Sequence, residues 1–169
     1  QFWVVNQEAG GGDRGIEADN NGSDNTLMPY SNPTIANITL VGVDDGDASN
    51  TGMRLREGTK GKIYNAVVTG FPNYGVRVSD AQTTTNMTAG ELVLQNSSVF
   101  TNVTNWRDCA DFEPTNEATN STTAISLSGY IGTSSTNALD PTTLGSWFTA
   151  GTFKGAVESS NDWTAGWTK

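Results

Sequence analysis

The sequence predicts an all-β chain, a right-handed parallel β-helix with an aromatic-rich C-terminal cap. Three observations predict it. Two short alternating patterns recur in turn along the first hundred residues. Thr, Ser, Asn and Gly are abundant, yet short β-branched runs and five tryptophans argue for a packed chain. Three of those tryptophans fall in the last stretch, where a solenoid needs a cover for its final open coil.

The first pattern is "RGIEADN" at 14–20, "TGMRLREG" at 51–58 and "YGVRVSD" at 74–80. Each is a glycine followed by alternating apolar and polar residues, which is strand periodicity. Stacked as coils, Ile16, Met53 and Val76 form one inward column, and Ala18, Leu55 and Val78 the next. The outward columns are then Glu17–Arg54–Arg77 and Asp19–Arg56–Ser79. Opposite charges meeting on neighbouring strands contribute only about 0.2–1 kcal/mol each.

The second pattern is "IANITLVG" at 35–42, "IYNAVVTG" at 63–70 and "LQNSSVFT" at 94–101. Asn37, Asn65 and Asn96 are 28 and 31 residues apart, a coil-sized repeat. Asparagine tolerates the left-handed region and suits a tight bend between two strands. The three are expected to form an internal ladder. Ile35, Ile63 and Leu94 would point inward before the bend, and Leu40, Val68 and Val99 after it.

The pattern fades near residue 105. Residues 1–104 are read as β-helix coils. Residues 105–169 are read as a polar loop, a last strand at "AISLSGYIG" (124–132) and the cap of the same domain. Trp147, Phe148, Phe153, Trp163 and Trp167 are the expected cap residues. The opening "QFWVV" reads as a strand already under way. The expected partner at that edge is a set of preceding coils or another subunit.

The chain carries 9 Lys+Arg against 18 Asp+Glu, a formal charge of -9. That balance argues against nucleic acid, whose phosphates need basic surfaces. No apolar run is long enough to cross a membrane. The absence of histidine removes Ser-His-Asp and Cys-His catalysis and the usual histidine zinc sites. The single cysteine, Cys109, is expected to be buried.

Taken together, "QFWVVNQ", "GDRGIEADNNGSDN", "NPTIANITLVG", "GMRLREGTKGKIYNAVVTGF" and "DWTAGWT" resemble right-handed parallel β-helix proteins of marine and environmental bacteria, secreted proteins and lipoproteins. The resemblance covers most of the chain, likens it to their C-terminal half and implies an extracellular or cell-surface location. A more distant likeness is to pectate-lyase-type β-helices. Their aspartate cluster and catalytic arginine have no residue-by-residue counterpart here.

Two acidic loops qualify as calcium ligands by residue type. "DNNGSDN" offers Asp19, Asn21 and Asp24, and "VDDGDASN" offers Asp44, Asp45 and Asp47 around Gly46. A single cation held between the two loops would offset their repulsion. Plain polar turns with no cofactor are the preferred reading, and calcium the alternative. A lyase needs a base beside a cation that neutralises a uronate carboxyl, and a glycosidase needs two carboxylates. Glu17, Arg54, Arg77, Glu57 and Asp80 supply those types, as would any charged β-helix face. Tyr30, Tyr74 and Trp106 are the aromatics that a glycan-binding surface would expose. Asn86 and Asn120 stand in sequons, where glycosylation would require a source organism with the machinery. The expected role is a secreted structural or adhesive module, glycan-binding or assembling end to end. The alternative is a polysaccharide lyase or glycoside hydrolase.

Overall fold

The computed structural model describes residues 3–47 and 50–166. Its chain alternates between two parallel sheets. β1 (Trp3–Asn6), β3 (Thr34–Val41) and β5 (Lys62–Thr69) pair in that order, and β5 then pairs β7 (Val93–Gln95) and β8 (Ser98–Phe100). The second sheet runs β2 (Arg14–Ala18), β4 (Thr51–Leu55), β6 (Tyr74–Val78) and β9 (Thr104–Arg107). Each winding contributes one strand to each sheet, except the last, which gives the first sheet two short ones, and apolar side chains of both sheets share one core. This is the architecture of a parallel β-helix.

The register follows the expected columns. Ile16 pairs Met53 and Met53 pairs Val76; Ala18 pairs Leu55 and Leu55 pairs Val78. Ile35 pairs Ile63 and Ile63 pairs Leu94, while Leu40, Val68 and Val99 are in register and fully buried. The glycines that open the first pattern have a steric reason. A Cβ on Gly52 would lie 2.5 Å from the carbonyl oxygen of Gly75, and one on Gly15 would lie 2.6 Å from that of Gly52. Successive strands approach too closely there for any side chain.

Asn37, Asn65 and Asn96 sit at φ of 59°, 55° and 54°, so each bend is left-handed. Their amides do not bond one another. They turn outward to the C-terminal segment: Asn37 Nδ2 donates to Phe153 O, Asn65 Nδ2 to Leu139 O and Asn96 Nδ2 to Asn137 O, at 2.6, 2.7 and 2.9 Å. The ladder is therefore external, and it ties one long segment across three windings.

That segment corrects the expected cap. Residues 137–157 lie along the flank of the first sheet. Gly155 N donates to Asn65 O and Ala156 N to Thr39 Oγ1, both at 2.9 Å. They cover the outward column Thr39–Val67–Ser98, which is almost wholly buried. Phe148, Phe153 and Trp163 are half-buried on this flank, Trp147 is 77% exposed, and Trp167 lies outside the described residues. The last winding is instead met by residues 109–121. Cys109 and Phe112 join the core, and Asn120 Nδ2 donates to Leu94 O and Phe112 O.

Three further expectations change. β9 crosses the boundary drawn at residue 104. Residues 124–132 form no strand, only one antiparallel bridge, Ser128 to Ile131, because no inward position is left for an alternating run to fill. A helix, α1 (Ala81–Thr88), stands between β6 and β7; Asp80 caps it by accepting from Thr83 N at 2.9 Å. Met87 is its only strongly apolar residue, which hides it from hydrophobic periodicity. Among the described residues no helix is long and apolar enough to cross a membrane.

Candidate functional site

The outward face of the second sheet concentrates charge. Alternation on β2, β4, β6 and β9 puts Glu17, Arg54, Arg77 and Arg107 in one register column. Tyr74 stands beside it, its ring facing the Arg77 guanidinium at 5.5 Å and that of Arg107 at 5.9 Å. Three like charges thus follow one another on neighbouring strands, an arrangement that destabilises a sheet unless something compensates it.

Arg107 is paired with Asp108 at 3.1 Å, and the other nearby carboxylates converge on a different arginine. Asp19 accepts two hydrogen bonds from Arg56, from Nε at 2.9 Å and from Nη2 at 3.1 Å. Glu17 lies 3.1 Å from Arg56 and Glu57 lies 3.6 Å from it. The hydrogen bond donated to Asp19, more than the surrounding charge, holds the Arg56 guanidinium above its ordinary pKa. Arg54 keeps only a 3.8 Å contact with Glu17. Arg77 has no carboxylate within ion-pair distance among the described residues, and the Nε atoms of Arg54 and Arg77 are buried without an acceptor. Burying a charged donor unpaired is costly, so Arg77 is the group on this face that a ligand would relieve.

The other residues singled out by type are dispersed. Asp80 is occupied as the helix cap and accepts from Glu57 N as well, which places it in structure rather than chemistry. Loop 19–25 follows β2, with Asn21 N donating to Glu57 O, whereas loop 44–50 precedes β4. The two loops therefore lie at opposite ends of the second sheet, and no single cation bridges them. Asn21 Oδ1 accepts from Ser23 N and Asp24 N, and Asp24 Oδ1 from Thr26 N and Oγ1. Those Thr26 bonds hold the Asp24 carboxyl below its ordinary pKa. Asp45 is held down in the same way, chiefly by the Gly10 N–H, and Asp44 Oδ1 accepts from Gly46 N. Asp47 N donates to Asp45 Oδ1. The calcium expectation thus meets two polar turns that satisfy themselves, and the described residues contain no cluster of three or more acidic or thiol groups able to hold a metal.

Of the aromatics, Tyr30 carries Lys60 Nζ 3.8 Å from its ring centre and Trp106 packs against the core. The sequon residues Asn86 and Asn120 are 1% and 4% exposed, their amides spent on backbone carbonyls. They are closed to glycosylation in the folded chain.

The model of the family described as pectate-lyase like beta helix domain matches residues 1–168. The chain belongs to that family. No curated protein and no solved structure matches it. Membership in the pectate-lyase like beta helix domain family accounts for the alternating sheets and the coil-length repeat. Arg107, the third member of the arginine column, escaped the sequence reading because β9 lies past the last clear glycine pattern. Its only signal was a separation of 30 residues from Arg77, close to the 28 and 31 residues between the bend asparagines.

Proposed function

We propose that the chain is a non-catalytic, extracellular β-helix module that holds an acidic glycan along Arg54, Arg77 and Arg107. The single observation behind this reading is the unpaired Arg77 guanidinium at the centre of an in-register arginine column, stacked on Tyr74. Parallel strands repeat at about 4.8 Å, so the column is a ladder of evenly spaced cations suited to a polymer with repeating carboxylates. Tyrosine beside it offers a flat apolar face to a sugar ring. The net charge of -9 opposes a polyanion at long range, but charges more than about 8 Å apart are largely screened at physiological salt. The contact would be local.

A lyase reading fits less well. It needs a carboxylate or another base free to take a proton near the arginines. Glu17, Asp19 and Glu57 are gathered around Arg56, and Asp80 caps a helix. The likeness to secreted bacterial β-helix proteins supports the extracellular location. β1 and β2 are each paired on one side only among the described residues, an edge that preceding coils or another subunit would cover.

Retention on immobilised polygalacturonate, compared with an immobilised neutral glucan, tests the proposal. The wild type should be retained on the acidic polymer and released by salt, and Arg77→Ala should not be retained. Equal retention of the wild type and Arg77→Ala, or retention on the neutral polymer alone, would overturn it.

A further inference from the structure

Lys154 is the most unusual charged residue of the chain. It sits on the flank segment, in an antiparallel bridge with Ser134, and is 1% exposed. No carboxylate is within ion-pair distance of it among the described residues. Its ammonium has two oxygen contacts, Ser97 O at 3.4 Å and Ser98 Oγ at 3.5 Å. Both are longer than an ordinary N–H···O hydrogen bond. A buried lysine of this kind is normally paired or absent, because burial disfavours its charged form. Burial does depress the Lys154 ammonium below its usual value.

Lys154 lines a cavity of about 250 Å³. Two bridges frame this space: Ser98 with Ser121 on the last winding, and Ser134 with Lys154 on the flank segment. Three serines, Ser98, Ser121 and Ser134, line it. Ser121 Oγ already accepts from Thr123 N, and Ser134 Oγ from Thr136 N, so each retains its own hydrogen for a ligand. Ala124 and Ile125 supply an apolar patch in the same wall. The cavity lies under the first sheet's flank segment, away from the arginine column on the second sheet.

We infer that this cavity is a binding site for a small carboxylate, whose oxygens meet Lys154 Nζ and the Ser98, Ser121 and Ser134 hydroxyls. The charge arithmetic selects a monoanion: one lysine lines the space and no second cation does, so a dianion would leave a buried charge uncompensated. The volume is below the usual range of about 300–1,000 Å³ for ligand pockets, which selects a molecule of a few carbons, its alkyl part against Ala124 and Ile125. The ligand supplies the counter-charge the folded chain lacks.

The test is thermal unfolding of the whole chain in sodium acetate, with acetamide as the neutral isostere, sulfate as the dianion and sodium chloride holding ionic strength constant. A ligand bound only by the folded state raises the midpoint in a saturable way. Acetate should raise it, acetamide should not, and sulfate should raise it less. Lys154→Met should have a higher midpoint than wild type without acetate, since an unpaired buried charge is removed, and should lose the acetate response. Ser134→Ala, which keeps the ammonium, should fold normally and shift the acetate saturation to at least several-fold higher concentration. Arg77→Ala should respond as wild type does, which separates this site from the glycan face. Equal responses to acetate and acetamide, or an undiminished acetate response in both Lys154→Met and Ser134→Ala, would overturn the inference.

Discussion

Replacing Asn65 by alanine tests whether the left-handed bends and the flank segment are one device. The perturbation has two parts. Alanine at φ of 55° meets the steric cost of the left-handed region, about 1–2 kcal/mol. It also removes two hydrogen bonds: Nδ2 to Leu139 O at 2.7 Å, and Leu139 N to Oδ1 at 2.9 Å. Each is worth about 0.5–1.5 kcal/mol net. Together the loss is about 2–5 kcal/mol, a fall in Tm of roughly 5–15 °C for a chain of this size. Asn65→Gly isolates the second part, because glycine adopts the bend without strain, and it should recover roughly 1 kcal/mol. Urea unfolding gives both values. Amide exchange gives the local one: Leu139 N–H should lose protection in both variants. An Asn65→Ala variant within about 0.5 kcal/mol of wild type, or one no less stable than Asn65→Gly with Leu139 still protected, would refute the reasoning.

Gly52→Ala should destabilise by about 3 kcal/mol or more, since its Cβ would overlap the Gly75 carbonyl and Val68 Cγ1, whereas Gly12→Ala, with open space around it, should be near neutral in the same urea titration. Asp80→Ala should cost about 1–2 kcal/mol through loss of the helix cap, and polygalacturonate retention should be unchanged, because Asp80 is spent on Thr83 and Glu57 backbone. Cys109 is pushed up to about 12 by burial, so it should react with a thiol reagent at pH 8 only after unfolding. A raised folded-state value stabilises fully below the unfolded thiol's ordinary range, and that stability should fall by up to about 1.4 kcal/mol per pH unit on the way to 12. Cys109→Ala should flatten that alkaline slope.

How far the sequence could be read depended on which residues repeat. The inward columns were legible because Ile16, Met53 and Val76 alternate with charge at a coil spacing, and the stacking of parallel strands preserves that spacing in space. The bends were legible because asparagine marks the left-handed region. The direction of their side chains was not: whether an amide at a bend points inward or outward depends on what covers it, and the cover comes from residues 137–157, between 41 and 116 positions away in sequence. The aromatic tail misled for a related reason. Hydrophobic residues say that a segment is covered or covering but not which face it meets, and in the outward column Thr39–Val67–Ser98 only Val67 is apolar, a weak signal of needing cover. α1 was missed because threonine and asparagine dominate it and its start rests on the single cap at Asp80.

The site divides similarly. Arg54 and Arg77 were found as an outward pair, and Glu17 beside them, because strand alternation fixes the face. Which carboxylate pairs with which arginine was beyond the sequence, since Glu17, Asp19 and Glu57 converge on Arg56 only through side-chain geometry. Lys154 carried no signal at all. A lysine between phenylalanine and glycine in a polar tail looks solvent-exposed until the fold lays it against Ser97 and Ser98.

The central functional claim is binding without chemistry at the arginine column. Calorimetric titration with an oligogalacturonate, followed by ultraviolet absorbance of the same sample for unsaturated products, tests it most directly. The account predicts saturable, salt-weakened binding that Arg77→Ala abolishes, and no rise in absorbance. A rise in absorbance that Arg77→Ala eliminates would contradict it by showing a lyase, and absence of binding by the wild type would show that the arginine column holds no acidic glycan.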